Sequence, residues 1–182
     1  MKLAILLTAL ALTVNAQQPP AGVAAKAAGT VGNAQAGTTL QNILALEKQM
    51  DDRLGTTGSP DPCVVRGPSR GLYVSGLGAV FSAEVELSAT PGGVGMFAGQ
   101  NSPEMKAKYH KIKVARVPQL EQTVRDIATA LSASPALKLA DSDQVVVVVR
   151  LWYQRWEDTT GLPGQIVARL DRRGGTIKMD VQ

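Results

Sequence analysis

The sequence feature that most constrains the fold is an unbroken run of five valines at residues 145–149, inside the segment QVVVVVRLWYQRW. Valine is β-branched and favours extended backbone, so this segment is predicted to be a strand. A strand that is apolar on both faces is typical of the centre of a sheet, where it is covered above and below. Burial of one valine side chain contributes about 1.5–3 kcal/mol, so we expect this strand to dominate the core.

A second strand is predicted where apolar and polar residues alternate over residues 79–88. One side of this strand carries Glu84 and Glu86, which we expect to face solvent. The other side is expected to face the core, and it consists of Ala79, Phe81, Ala83, Val85 and Leu87.

Two glycines, Gly76 and Gly78, precede that strand in the stretch YVSGLGAVF. A dinucleotide-binding turn needs a helix directly after its glycines, because the free N–H groups of the first helical turn bind the pyrophosphate. Here a strand follows, so we interpret the glycines as a bend, a bulge or a point of close backbone approach. A second match to the spacing, GVGMFA at residues 93–98, has no helix start before Pro103, and we interpret it as a loop.

Two amphipathic helices are predicted from apolar residues at helical spacing. The first covers residues 38–54, and the second opens at Pro118 and ends before Pro135. The segment 103–116 carries five basic residues that do not share one helical face. We interpret that segment as a solvated loop or the flank of a strand.

These elements predict an α+β fold with a small antiparallel or mixed sheet, a central valine-rich strand and helices covering one face. A short strand at residues 165–170 and a hairpin turn at residues 172–175 extend the sheet. We place a single domain at residues 38–182, with its core at residues 71–170.

The N-terminal residues predict export. Residues 1–16, MKLAILLTALALTVNA, combine a lysine, a short apolar core and small residues at the expected cleavage point, which is the pattern of a secretory signal peptide. Residues 17–37 are predicted to be a disordered low-complexity linker. We therefore expect a periplasmic or extracellular protein without a transmembrane segment after cleavage, and its formal net charge of +4 falls to +3 without Lys2.

The single cysteine, Cys63, and the single histidine, His110, limit the chemistry. One residue of each type does not build an ordinary zinc site, and no motif predicts a cofactor or a metal. A catalytic thiol needs a base beside it, and no local motif supports a Cys63–His110 pair. Cys63 is therefore a buried, inert thiol, a free reactive-thiol candidate or a link between two molecules. The mild net charge predicts no nucleic-acid partner.

Tyr73, Gly76, Gly78 and Phe81 form the pattern Y-x-x-G-x-G-x-x-F. Together with the predicted helix and the valine-rich strand that follow it, this pattern resembles a group of exported bacterial proteins with no known activity. The resemblance spans roughly residues 71–170. It implies an envelope location and a glycine-marked strand followed by a helix and a buried strand, and it implies no catalytic residues.

Basic and aromatic side chains without a reactive cluster favour a non-catalytic exported module of the cell envelope, which binds an envelope protein or an anionic glycan. The alternative is a small thiol-dependent enzyme or redox-linked protein that uses Cys63. A third hypothesis is a ligand carrier in which the 91–102 loop acts as a lid. The candidate partner-binding residues are Lys106, Lys108, Lys111, Lys113, Arg116, Trp152 and Trp156.

Overall fold

The computed structural model describes residues 40–89, 102–172 and 175–182, which form two helices and one six-stranded mixed sheet. The predicted signal peptide, the linker and the glycine loop at residues 93–98 lie outside the described residues. The α+β fold, with helices packed against the sheet, is confirmed. In chain order the elements are α1 (Leu40–Thr56), β1 (Val64–Val65), β2 (Arg70–Val74), β3 (Gly78–Glu86), α2 (Pro103–Ala133), β4 (Gln144–Leu151), β5 (Gln165–Asp171) and β6 (Ile177–Val181).

The sheet has the strand order β1-β3-β4-β5-β6, and β2 also pairs with β3. Strands β3 and β4 are parallel neighbours joined through α2, whereas the other pairings are antiparallel. Both helices contact the sheet and each other, so they share one core with its inner face. The valine-rich strand β4 lies at the centre of this sheet, as predicted.

The two faces of β4 differ in burial. Val145, Val147 and Val149 are almost fully buried beneath the helices, whereas Val146 and Val148 on the outer face are only half-buried. The expectation that β4 is covered both above and below is therefore wrong for the outer face. Among the described residues, the outer valines are sheltered by the neighbouring strands β3 and β5 rather than by a second layer, so the valine run marks a central strand.

Helix α2 begins at Pro103, so the prediction that it opens at Pro118 is wrong, as is the loop or strand flank at residues 103–116. The Ser102 side chain caps the helix by accepting a hydrogen bond from the Met105 N–H at 3.3 Å. Pro103 lies in the first turn, where its missing N–H costs nothing. Pro118 lies inside the helix, and the carbonyl that it leaves without a helical donor is that of the solvent-exposed Val114.

The stretch YVSGLGAVF is a β-hairpin. The Leu77 N–H donates to the Val74 carbonyl at 3.1 Å, and β3 begins directly at Gly78. Gly78 has a φ of +118°, and a Cβ at this position would lie 2.1 Å from the carbonyl oxygen of Gln144. A strand follows the glycines, and the close backbone approach of β4 requires the second of them.

We expect Gly78→Ala to lower the free energy of unfolding by about 2–5 kcal/mol, because the new methyl group overlaps backbone and the positive φ is strained. Gly55→Ala is the control, since Gly55 is helical and a Cβ there meets no atom within 4 Å. That substitution should be neutral or stabilising by up to about 1 kcal/mol. Urea unfolding of both variants measures the difference, and equal effects would contradict the close approach.

Candidate functional site

A buried group of charges lies where β3 ends. Lys113 comes from α2, Glu86 ends β3, and Glu157 lies in the segment after β4. The Lys113 Nζ is 2.5 Å from the Glu157 Oε2 and 3.8 Å from the Glu86 Oε1, and each of these side chains is at most 4% exposed. We call these three residues the Lys113 cluster. The expectation that Glu86 faces solvent is wrong, because the Glu86 carboxylate is buried beside Lys113.

Arg66 extends the Lys113 cluster to the surface. Its guanidinium lies 3.3 Å from the Glu86 Oε2 and 3.9 Å from the ring centre of Trp152. Two cationic and two anionic groups thus meet here with balanced charge, and the Arg66 guanidinium also makes a cation–π contact with the indole. These buried ion pairs connect α2, the end of β3 and the segment after β4 to one another.

Tyr153 closes the inner side of the same region. The Lys113 Nζ lies 5.5 Å from the centre of its ring, and its hydroxyl donates to the Pro163 carbonyl at 2.7 Å. Burial raises the pKa of the Tyr153 hydroxyl, and the neighbouring Glu157 carboxylate raises it further. Tyr153 therefore remains a protonated hydrogen-bond donor.

The segment after β4 also packs along α2 near its N-terminal half. The rings of Tyr109 and Trp156 meet edge to face with centres 6.5 Å apart. The His110 Nδ1 is 3.0 Å from the Asp158 carbonyl oxygen, so this ring nitrogen donates. Both predicted binding tryptophans, Trp152 and Trp156, are partly exposed and lie on this one segment.

The predicted basic residues do not share one surface. Lys108 and Lys111 are exposed and Lys106 is half-exposed, whereas Lys113 is buried in its cluster. Arg116 is held 2.5 Å from the Asp61 Oδ2 and donates to the Leu87 carbonyl at 2.6 Å. A helix turns 100° per residue, so residues at these spacings diverge around its axis.

Cys63 is a buried thiol, only 4% exposed. Its Sγ lies 3.7 Å from the Leu87 carbonyl oxygen, the same acceptor that Arg116 uses. Burial raises the pKa of the Cys63 thiol and the Asp61 carboxylate adds to this, although Arg116 opposes them. His110 contacts Asp158 instead, so the described contacts contain no thiol–histidine pair.

A shallow cleft of about 220 Å³ lies on the outer face of the sheet. Arg70 on β2 is directly opposite Ser82 on β3, and Arg150 on β4 is directly opposite Glu84. Arg66 completes the cleft from the end of β1. We call Arg66, Arg70 and Arg150 the arginine cleft. This cleft could not be predicted from the sequence, because the three arginines come together only through the pairing of β1, β2 and β4 with β3.

A larger cavity, of about 540 Å³, lies at the opposite end of the parallel strands. Asp143 anchors it by accepting hydrogen bonds from the Tyr73 hydroxyl at 3.0 Å and the Ala140 N–H at 2.9 Å. Burial and this hydrogen bond raise the pKa of Tyr73. The described part of the chain contains no group of three or more residues arranged to hold a metal ion. The lining consists of Asp141, Ser142, Asp143, Gln144, Asp171, Arg172, Thr176 and Lys178.

Comparison of the chain with protein-family models, curated proteins and solved structures finds no match. The resemblance to exported bacterial proteins therefore stays a prediction. Among the described residues, neither helix has the length and apolar character needed to cross a bilayer.

We expect Lys113→Met to lower the free energy of unfolding by about 3–5 kcal/mol, because it leaves two buried carboxylates without their shared cation. Lys48→Met is the control, since Lys48 forms an exposed pair with Asp52 and its loss should cost at most about 0.5 kcal/mol. Chemical unfolding measures the free energy of unfolding of both variants. Equal losses would show that the Lys113 cluster does not stabilise the fold.

We expect Cys63 to react with iodoacetamide more slowly in the folded protein than in urea, because burial and the raised pKa both reduce accessible thiolate. The pH at which the labelling rate of the folded protein is half-maximal should lie above the ordinary thiol pKa. The contribution of this thiol to stability is present below that ordinary value and is lost as the pH rises through the raised one. Rapid labelling of the folded protein at neutral pH would contradict the inert assignment.

Proposed function

We propose that this protein is an exported, non-catalytic binding module of the bacterial cell envelope that recognises a carboxylate-bearing anionic glycan through the arginine cleft. The observation that carries the proposal is the convergence of Arg66, Arg70 and Arg150 on the outer face of the sheet, against which neither described helix packs. Arg70 and Arg150 have no ion-pair partner among the described residues and are exposed to solvent.

The chemistry of the arginine cleft favours carboxylates. A guanidinium group presents its donors in a planar fork that matches a carboxylate with two parallel hydrogen bonds. Glu84 is the one acidic residue that lines the cleft, so the net charge of the cleft is positive. The volume of the cleft lies below the range of pockets that enclose drug-sized ligands. A shallow, open and cationic groove suits an extended polymer that lies across the strands.

The rim of the cleft is preorganised. The Arg66 backbone N–H donates to the Glu84 carbonyl at 2.7 Å, while its guanidinium is held by Glu86 and stacked on Trp152. Restricting a side chain before binding reduces the entropy that binding must remove. The Lys113 cluster therefore supports the proposed site by fixing Glu86.

Export and an envelope location rest on the signal-peptide pattern of residues 1–16, the linker composition of residues 17–37 and the resemblance to exported bacterial proteins. A low-complexity linker would place the folded module at a distance from whatever holds its N-terminal end. The glycan class rests on this expected location together with the cationic lining of the arginine cleft.

The alternative of a thiol-dependent enzyme is weakened by the surroundings of Cys63. An attacking thiol needs a lowered pKa, access to substrate and a base within hydrogen-bond reach. Cys63 is buried, its pKa is raised, and its sulfur faces the Leu87 carbonyl. Arg70 and Arg150 of the arginine cleft are accessible to a ligand, so we favour a binding function over a thiol-dependent enzyme.

We expect the protein to bind polygalacturonate, a uronic-acid polymer, and the double variant Arg70→Gln/Arg150→Gln to bind it at least about tenfold more weakly, since hydrogen bonds to charged groups contribute about 1.5–3 kcal/mol each. Neutral dextran should not bind, and added salt should weaken the interaction with polygalacturonate. Isothermal titration calorimetry measures the affinity of each protein for each polymer.

The matched control is Lys108→Gln/Lys111→Gln, which removes the same charge from an exposed part of α2. It should retain most of the affinity. Equal losses in both double variants would mean that the polymer reads net charge alone, and absence of binding to polygalacturonate would overturn the glycan class. Binding of polyglutamate in preference to polygalacturonate would instead identify an acidic protein as the ligand.

A further inference from the structure

We propose that the protein pairs with a second copy of itself through the outer edge of β6, so that the two sheets join into one antiparallel sheet around a two-fold axis at Met179. This inference does not depend on the arginine cleft. It rests on the open edge of β6, on the direction of its backbone groups and on the order of its side chains.

The two edges of the sheet are treated differently. On the β2 side, carboxylates from α1 take up backbone donors, since Glu47 accepts from the Gly71 N–H at 2.7 Å and Asp51 accepts from the Ser69 N–H at 2.9 Å. Among the described elements, β6 packs against β5 and no helix covers its outer edge. An uncovered edge strand is a template for pairing with another strand.

The backbone of β6 presents alternate residues to the open edge. Gln165 and Gln182 exchange both N–H···O bonds at 3.1 Å, which makes them a hydrogen-bonded pair of the β5–β6 ladder. Hydrogen-bonded pairs alternate with non-hydrogen-bonded ones along antiparallel strands. The N–H and C=O groups of Ile177, Met179 and Val181 therefore point away from β5.

A two-fold axis at Met179 uses all of these outward groups. Met179 then lies opposite the Met179 of the second copy, and Ile177 lies opposite its Val181. Each of these pairs exchanges both backbone bonds, because both members point outward. The arrangement also covers the Val181 side chain, which is 44% exposed in the single chain.

The charged residues fit the same axis. Lys178 and Asp180 lie on the outer face, and the axis sets each opposite the other in the second copy, in non-hydrogen-bonded pairs where side chains approach most closely. Within one chain, Lys178 is directly opposite Arg169, a like-charge pair that an added carboxylate relieves. The Asp180 Oδ2 accepts from the Gln182 Nε2, which leaves Oδ1 for the lysine.

Neighbouring registers are unfavourable, and this selects a second copy as the occupant. An axis at residue 178 would oppose two lysines, and an axis at residue 180 would oppose two aspartates. Proline on an edge strand and charged side chains that point toward the core are two devices that natural edges use against pairing. Strand β6 has neither, because it contains no proline and its charged residues, Lys178 and Asp180, lie on the outer face. The order of its side chains is instead complementary to itself.

Sedimentation velocity of the protein recovered from expression of the full chain tests the proposal, and we expect a dimer at micromolar concentration. Lys178→Asp and Asp180→Lys should each weaken dimerisation by about tenfold, because each turns two attractive cross-strand pairs into repulsive ones. The double variant should dimerise like the parent. A mixture of the two single variants should form heterodimers in preference, which native mass spectrometry detects by mass.

Thermal unfolding of each variant verifies that it is folded, and Lys48→Met is the control for loss of an exposed charge away from β6. The proposal is overturned if the parent is monomeric at these concentrations. It is also overturned if dimerisation is unchanged in both single variants, since the contact would then lie elsewhere. Absence of heterodimers in the mixture excludes the Met179 axis.

Discussion

The parallel pairing of β3 with β4 is the constraint on which the rest of the structure depends. Two parallel neighbours need a crossover that returns the chain to its starting end, and here that crossover contains the 31-residue helix α2. The helix covers the inner face of β4 and β5. A short connection would have made the strands antiparallel and removed the helix that supplies Lys113.

The same crossover explains why charge is buried at one end of the sheet. Lys113 lies in the N-terminal half of α2, beside Glu86 at the end of β3, and the chain after β4 returns to this point with Glu157. Removal of ions from water costs several kcal/mol, and such a group is tolerated when each charge has partners. The cluster then holds Arg66 and Trp152 in fixed positions, which couples the core to the arginine cleft.

Much of the sheet could be predicted from sequence, because periodicity reports burial directly. The alternation of β3 and the valine run of β4 identify both strands, and the close backbone approach that the glycines suggested is found at Gly78. Strand β2 and its hairpin turn before Gly78 were not predicted. The extent of α2 could not be predicted, since Pro118 looks like a start signal unless the cap at Ser102 is recognised. The arginine cleft depends on cross-strand register, and a single sequence does not contain that register.

Self-pairing through β6 would change what the arginine cleft can bind. A two-fold axis normal to the sheet keeps the outer faces of both copies on the same side, so the two clefts would face one surface. A polymer that reaches both clefts binds the second one intramolecularly, and its avidity then exceeds the affinity of a single cleft. A monovalent carboxylate would gain nothing from pairing. The length dependence of glycan binding therefore separates an isolated cleft from a paired one.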